Sequence, residues 1–167
     1  DLVPTGPINS DALRNSLWSF VDEYIASKTT TTRPHAALRD LLERRTPNID
    51  GVELGASLYD PENLNPQVCC SIAERMSETY LFIQGPPGTG KTHTASHMII
   101  HLMKAGKRIG VSANSHKAIH NLLDAIDKRA AEQKFTFVGL KKSSRDDEDT
   151  VYRSSNIDSV ISSEDIA

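Results

Sequence analysis

The sequence has few cysteines, no long apolar run and no excess of positive charge. Only two of its 167 residues are cysteines, Cys69 and Cys70. Because adjacent cysteines rarely bridge each other, we expect a reducing, intracellular and cytoplasmic environment. No apolar run approaches the ~18 residues of a membrane span and no signal peptide opens the chain, so we expect no membrane partner. With 19 basic against 22 acidic residues, only a local patch would hold nucleic acid.

The length and the first residue indicate how the chain is organised. A chain of 167 residues is about one domain long. It starts at Asp1 rather than at a methionine, which suggests a piece of a longer polypeptide. We divide it into a helical extension or linker over residues 1–60 and an α/β unit over residues 61–167.

The extension is predicted to contain two helices. Residues 9–27 form the first, with Ser10 in the capping position, and Pro34 fits the first turn of a shorter second helix. Because apolar stripes of this kind are ordinarily packed, we expect an extension that packs and carries no chemistry. The apolar side chains at helical spacing are Leu13, Leu17, Phe20, Val21 and Tyr24 in the first helix and Leu38, Leu41 and Leu42 in the second.

Residues 85–92 carry the strongest functional signal in the chain. They read Gly85-Pro86-Pro87-Gly88-Thr89-Gly90-Lys91-Thr92 and match the phosphate-binding pattern G-x-x-x-x-G-K-[ST] at every fixed position. The glycines let main-chain N–H groups point at the α- and β-phosphates of a nucleotide. The Lys91 ammonium reaches the β- and γ-phosphates, and the Thr92 hydroxyl is placed to ligate Mg²⁺. The motif therefore predicts a nucleoside triphosphate site in which Lys91 and Thr92 act on the reacting phosphates.

The segments around this loop predict a P-loop NTPase fold of the α/β class. Strands and helices alternate, which gives parallel strand pairing with right-handed crossovers. Beyond Leu140 the chain turns polar, and the acidic run at 146–149 predicts a solvated loop. The predicted elements are a helix over 65–75, a strand over 80–84, a helix over 92–105 ending at Gly106, a strand over 108–112, a helix from Asn114 or Ser115 to about Ala131, and a strand over 135–139.

Gln84 and the phosphate loop resemble motif I of superfamily 1 helicases, in the branch that contains the nonsense-mediated-decay helicase. Upstream, Leu64-Asn65-Pro66-Gln67 resembles the segment with which this branch reads adenine, which implies that the Gln67 amide recognises the base of ATP. The resemblance implies that residues 61–167 are a partial RecA-like domain that binds ATP and Mg²⁺. It also implies a second RecA-like domain in the remainder of the parent chain.

Residues 109–119 resemble motif Ia, the first contact that these helicases make with a single strand. The resemblance implies that Asn114, Ser115, His116 and Lys117 bind the phosphates of single-stranded DNA or RNA. Ordinary helix capping by Asn114 or Ser115 is the alternative. This segment also resembles proteins that join a RecB-like nuclease to such a helicase, so a nuclease domain in the parent chain stays open.

The acidic motif with which the family holds metal and water, an apolar strand that ends in Asp-Glu, does not occur in the sequence. Hydrolysis needs that group and further cations, so we expect this chain alone to hydrolyse ATP poorly or not at all. Three functions stay open at this point. They are a helicase fragment, an AAA-type ATPase or small P-loop kinase without a nucleic-acid role, and a non-catalytic nucleotide-binding module.

Three histidines, His93, His97 and His101, recur every four residues along the helix after the loop, a spacing at which a metal can be bound. On a helical wheel they lie opposite the apolar residues of that helix. We therefore interpret them as a partly solvated polar face rather than as a zinc site.

Overall fold

The computed structural model describes residues 10–29, 33–144 and 147–161. Within these ranges the chain forms five α-helices, three short 3-10 turns and one two-stranded parallel sheet. The helices are α1 (Asp11–Ala26), α2 (Ala36–Leu42), α3 (Pro66–Glu74), α4 (Lys91–Lys104) and α5 (His116–Glu132), and the strands are β1 (Gly139–Lys142) and β2 (Ile157–Val160).

Capping residues explain where the helices of the α/β unit begin and end. The Asn65 side chain accepts a hydrogen bond from the Val68 N–H at 3.0 Å, and Pro66 occupies the first position of α3. Helix α4 is followed by Gly106, whose φ of 76° lies in the left-handed region that glycine adopts most easily. The helices predicted over 65–75 and 92–105 are therefore confirmed.

Helix α4 packs against both α3 and α5, and the main core lies between α4, α5 and β2. Ile100 of α4 is 1% exposed, and Ala130 of α5 is fully buried. The buried members of this core are Ile100, Leu123, Ile126, Ala130 and Ile157. Since Ile157 comes from the far end of the described chain, the C-terminal segment is an integral part of the fold.

The prediction of a solvated loop beyond Leu140 is wrong for Lys141 and Lys142, which belong to β1. The acidic residues Asp147, Glu148 and Asp149 are exposed, as predicted. Gly139 pairs with Ile157 and Lys142 with Val160 in a parallel ladder. The third strand, predicted over 135–139, lies instead at 139–142. Lys141 is only 5% exposed, because hydrogen bonds satisfy its ammonium inside the fold. Arg145 and Asp146, which belonged to the predicted loop, lie outside the described residues.

The strands predicted over 80–84 and 108–112 are not present among the described residues, where both segments lack regular secondary structure. A strand is stable only when a neighbour pairs with its N–H and C=O groups, and neither segment forms such a ladder with a described strand. Phe82 is accordingly 71% exposed. The parallel sheet of the described chain is limited to β1 and β2.

In the extension, the two predicted helices are present, but most of their apolar side chains are not packed as expected. In α2, Leu38, Leu41 and Leu42 are 43%, 46% and 63% exposed. Helix α1 buries none of its side chains, and Leu13 and Leu17 are 71% and 65% exposed. Ser10 occupies the N-cap position of α1 without a capping hydrogen bond from its side chain. Helix α2 begins at Ala36, two residues after Pro34, and the residues 30–32 between the helices lie outside the described ranges.

The extension is joined to the lead-in of the phosphate loop by hydrogen bonds. The Asn48 N–H donates to Thr79 Oγ1 at 3.0 Å, and the Tyr80 hydroxyl donates to the Arg45 carbonyl at 2.8 Å. An isolated antiparallel bridge pairs Ile49 with Met76. These contacts fix residues 45–50 against the segment that leads into the loop.

Cys69 and Cys70 are both free thiols, and burial raises the pKa of each. In the part of the chain that the structure describes, no helix has the length and apolar character needed to cross a bilayer.

Candidate functional site

The phosphate loop runs directly into α4, whose first two residues, Lys91 and Thr92, are the last two of the motif. Gly88 and Gly90 have φ values of 83° and 80°, so both adopt the left-handed conformation that side chains disfavour. Helix α4 starts at Lys91, and the N–H groups of its first turn have no partner within the helix. These N–H groups and the helix dipole favour an anion at this position.

Gly85 is required by the close approach of a neighbouring side chain. A Cβ atom built on Gly85 would lie 2.6 Å from Thr89 Oγ1, well inside contact distance. That hydroxyl cannot simply turn away, because it donates to the Pro86 carbonyl at 2.9 Å. The first glycine of the motif and the Thr89 side chain therefore depend on each other for the shape of the loop.

The Lys91 side chain folds back over the loop. Its Nζ donates to the carbonyl oxygens of Gly85 at 2.6 Å and Pro86 at 2.8 Å. These carbonyls provide the oxygen acceptors that phosphate oxygens would provide in a nucleotide complex. Thr92, the next residue, is exposed with its hydroxyl in the first turn of α4. The cationic lysine, the glycine cradle and the hydroxyl together fit a Mg²⁺-bound polyphosphate.

Gln67 lies in the first turn of α3, directly after the capped Asn65-Pro66 start, and its side chain is exposed. Helix α3 packs against α4, which carries the end of the phosphate loop. The exposed amide keeps its donor and its acceptor available for an adenine edge. The role of Gln67 in reading adenine stays a prediction.

The segment Asn114–Lys117 forms the turn into α5, and all four residues are exposed. The Ser115 side chain caps the helix by accepting from the Ala118 N–H at 3.2 Å, so the predicted capping role belongs to Ser115 rather than Asn114. A hydroxyl that accepts one hydrogen bond still has its proton to donate. Contact between this turn and a nucleic-acid phosphate stays a prediction.

Sequence reasoning missed a residue that supports this turn. Lys141 of β1 is buried, and its Nζ lies 2.8 Å from His116 Nδ1 at the start of α5. The same ammonium donates to the carbonyls of Lys142 and Thr150, each at 2.6 Å. Burial lowers the pKa of Lys141. No signal in the sequence distinguished Lys141 from the exposed lysines around it.

A second polar cluster attaches the approach to β2 to the outer face of α5. The Tyr152 hydroxyl lies 3.0 Å from Asp124 Oδ1 and 2.9 Å from Asp127 Oδ2, and the Asn156 amide donates to the other Asp127 oxygen at 3.0 Å. Burial, followed by the hydrogen bonds to Asp127 and Asp124, strongly raises the pKa of Tyr152. These contacts fix the position of β2 against the core.

The histidines of α4 are partly solvated, since His93 is exposed and His97 and His101 are half-buried, but they make different contacts. His101 Nε2 lies 3.0 Å from Glu74 Oε2 on α3. His97 Nε2 is buried without a hydrogen-bond partner, and its ring contacts the His93 ring at a centroid distance of 4.6 Å. Burial, followed by the positive charges of Arg129 and His93, lowers the pKa of His97. Among the described residues, no three His, Cys, Asp or Glu side chains are grouped to bind a metal.

Comparison with known proteins agrees with the motif. The AAA domain family matches residues 64–165, which is more than half of the chain. The DNA polymerase alpha-associated DNA helicase A of Schizosaccharomyces pombe is 48% identical over 44 residues, covering 26% of this chain and 7% of that protein. The regulator of nonsense transcripts 1 homolog of Neurospora crassa is 35% identical over 85 residues, covering 50% of this chain and 7% of that protein.

An archaeal protein extends the similarity over more of the chain. An uncharacterised ATP-dependent helicase of Methanocaldococcus jannaschii is 30% identical over 133 residues, covering 71% of this chain and 20% of that protein. The chain therefore spans between 7% and 20% of the length of these curated relatives. No solved structure matches the chain significantly.

Proposed function

Since the chain belongs to the AAA domain family and to the superfamily 1 helicases of the nonsense-mediated-decay type, we propose that it is the ATP-binding part of a helicase that translocates on single-stranded nucleic acid. The phosphate loop is the observation that carries this proposal. It combines two left-handed glycines, a tight Gly85–Thr89 contact and a lysine over the loop at the start of a long helix.

The nucleotide would be held by residues 85–92. The main-chain N–H groups of the loop and of the first turn of α4 would bind the α- and β-phosphates, and Lys91 would bind the β- and γ-phosphates. The Thr92 hydroxyl would ligate Mg²⁺, which neutralises charge on the phosphates when bound. Gln67 would read the adenine edge with its side-chain amide.

The turn into α5 would contact the single-stranded nucleic acid. Asn114, Ser115, His116 and Lys117 offer hydroxyl, amide, imidazole and ammonium donors on an exposed helix start, the kind of surface that binds a phosphodiester without reading its base. The relatives named as helicases are much longer than this chain. We propose that the remaining parts of hydrolysis, including the acidic motif and a second RecA-like domain, belong to a longer polypeptide.

Titration calorimetry of Mg·ATP tests the proposal. The chain is compared with Lys91→Ala and with Lys128→Ala, a control that removes an exposed lysine from α5, far from the motif in sequence. Each is titrated with and without a single-stranded oligonucleotide. We expect Lys91→Ala to weaken binding at least about tenfold, because it removes a charged contact to phosphate. Lys128→Ala should bind like the unaltered chain.

The oligonucleotide separates the functions that a phosphate loop can serve. Tighter Mg·ATP binding in the presence of the oligonucleotide supports a helicase, in which the nucleotide site and the nucleic-acid site are coupled. Such coupling is reciprocal, so each ligand strengthens the binding of the other. Lysine-dependent binding that the oligonucleotide leaves unchanged would favour a remodelling ATPase or a kinase. Equal binding by the chain and by Lys91→Ala would overturn the assignment of the nucleotide site.

A further inference from the structure

Lys141 is a buried cation whose hydrogen-bonding groups are fully used. Its three ammonium protons have three acceptors within 2.8 Å: His116 Nδ1 and the carbonyls of Lys142 and Thr150. Thr150 is itself only 2% exposed, so the position of the ammonium is fixed from the interior side. The contact therefore connects the interior of the fold to the first residue of α5.

This contact determines which nitrogen of His116 carries a proton. An ammonium has three donors and no acceptor, so Nδ1 of His116 must be the acceptor of the hydrogen bond. A neutral imidazole with an unprotonated Nδ1 carries its proton on Nε2. His116 is exposed, so this arrangement leaves an N–H donor on the ring nitrogen that Lys141 does not contact.

We infer that Lys141 is a positioning residue for nucleic-acid binding, which fixes His116 as the Nε2–H tautomer and so presents one N–H donor to a backbone phosphate. The inference rests on the proposed function, since it refines the contact expected at residues 114–117. The inference assigns the phosphate contact to one group, the Nε2–H of His116. A helix start attracts anions in general, without such a defined donor.

Two substitutions of Lys141 distinguish the effect of its hydrogen bond from the effect of packing its aliphatic side chain. Lys141→Met keeps a long flexible side chain without any donor, and Lys141→Arg keeps donors and charge. His116→Asn removes the imidazole and identifies its signals among the six histidines of the chain. Tyr152→Phe is the matched control, because it removes hydrogen bonds from the same C-terminal segment without touching His116.

The first measurement is a long-range ¹H–¹⁵N correlation spectrum of the imidazoles, which distinguishes a protonated from an unprotonated ring nitrogen. We expect His116 to be the Nε2–H tautomer in the chain and in Tyr152→Phe, and a mixture of tautomers in Lys141→Met. A His116 that is mixed or Nδ1–H in the unaltered chain overturns the inference, whether or not Lys141→Met folds.

The second measurement is the affinity for a single-stranded oligonucleotide at fixed salt. We expect Lys141→Met and His116→Asn to weaken it on the order of tenfold, the effect of losing one hydrogen bond to a charged group. Lys141→Arg should recover most of the affinity and Tyr152→Phe should not alter it. If the unaltered chain binds and both Lys141→Met and His116→Asn bind as tightly as it does, the inference alone fails. If the unaltered chain does not bind, the proposed function fails and the positioning role fails with it.

Discussion

Gly85 illustrates how one hydrogen atom decides the shape of the phosphate loop. In Gly85→Ala the new Cβ would lie 2.6 Å from Thr89 Oγ1, which would have to leave its hydrogen bond to the Pro86 carbonyl. We expect Mg·ATP affinity to fall by about five- to tenfold, the effect of about one lost hydrogen bond plus local rearrangement. Titration calorimetry measures the change.

The chain offers two controls for this substitution. Gly110→Ala adds a methyl group where no atom lies within 4 Å of the new Cβ, so nucleotide affinity should not change. Adding Thr89→Ala to Gly85→Ala removes the clashing hydroxyl and should recover part of the affinity. A double variant as weak as Gly85→Ala would contradict the steric explanation.

At the residue scale, the sequence predicted the residues whose chemistry requires a fixed spacing. It did not predict a residue whose role follows from its burial in the fold. The loop residues could be assigned from the sequence because glycine, lysine and threonine are each needed at one position. Lys141 could not be recognised, because its neighbours Lys142 and Ser143 give it the appearance of a solvated loop. Only the carbonyls of Lys142 and Thr150 and the ring of His116 make its burial tolerable.

At the scale of elements, Tyr152 contributes to the attachment of β2 to α5. Tyr152→Phe removes the hydrogen bonds to Asp124 and Asp127, and we expect the free energy of unfolding to fall by about 1–2 kcal/mol. Urea denaturation followed by circular dichroism measures the loss. The hydrogen bond between Asn156 and Asp127 remains in this variant, so β2 should stay in place.

The same tyrosine predicts a dependence of stability on alkaline pH. Its pKa is raised in the folded chain above the value of about 10 expected in the unfolded chain. Its contribution is therefore fully present below pH ~10 and is lost as the pH rises above that value, because only the unfolded chain releases the proton readily. The unaltered chain should lose stability between pH 9 and about 11 more steeply than Tyr152→Phe. Parallel slopes would contradict the prediction.

His97 of α4 predicts a loss of stability at acidic rather than alkaline pH. The pKa of His97 is lowered by burial and by nearby positive charge, whereas the unfolded chain takes up a proton near pH 6.5. Its contribution is present above that pH and is lost as the pH falls. Urea midpoints measured at pH 7.5 and 5.0 should differ less in His97→Leu than in the unaltered chain. An equal difference in both would show that another group titrates.

Helices were predictable at this scale because each carries its own signals. The Asn65-Pro66 start of α3 and the Gly106 stop of α4 are local, and the structure confirms both. Strands depend on partners, which a local pattern cannot supply. The apolar segment 80–84 therefore lacks strand structure, whereas the polar segment 139–142 forms one because β2 pairs with it.

At the scale of the whole molecule, stability is concentrated in one part of the chain. Ile126 is 3% exposed in the core, whereas Leu17 is 65% exposed on α1. Ile126→Ala should lower the free energy of unfolding by about 2–5 kcal/mol, and Leu17→Ala should change it by less than about 0.5 kcal/mol. Urea denaturation compares the two. A large loss in Leu17→Ala would mean that α1 packs against something in solution.

The position of Ile157 in the core has a consequence for synthesis of the chain. Ile157 packs with Ile100 and Ile126, which precede it by long stretches of sequence. A ribosome adds ~5–20 residues per second, so α4 and α5 emerge on the order of several seconds before the side chain that completes their core. During that interval the part of their apolar surface that Ile157 covers is open to the solvent. The core of α4 and α5 is therefore completed only after β2 has been synthesised, and the phosphate loop leaves the ribosome before that core is complete.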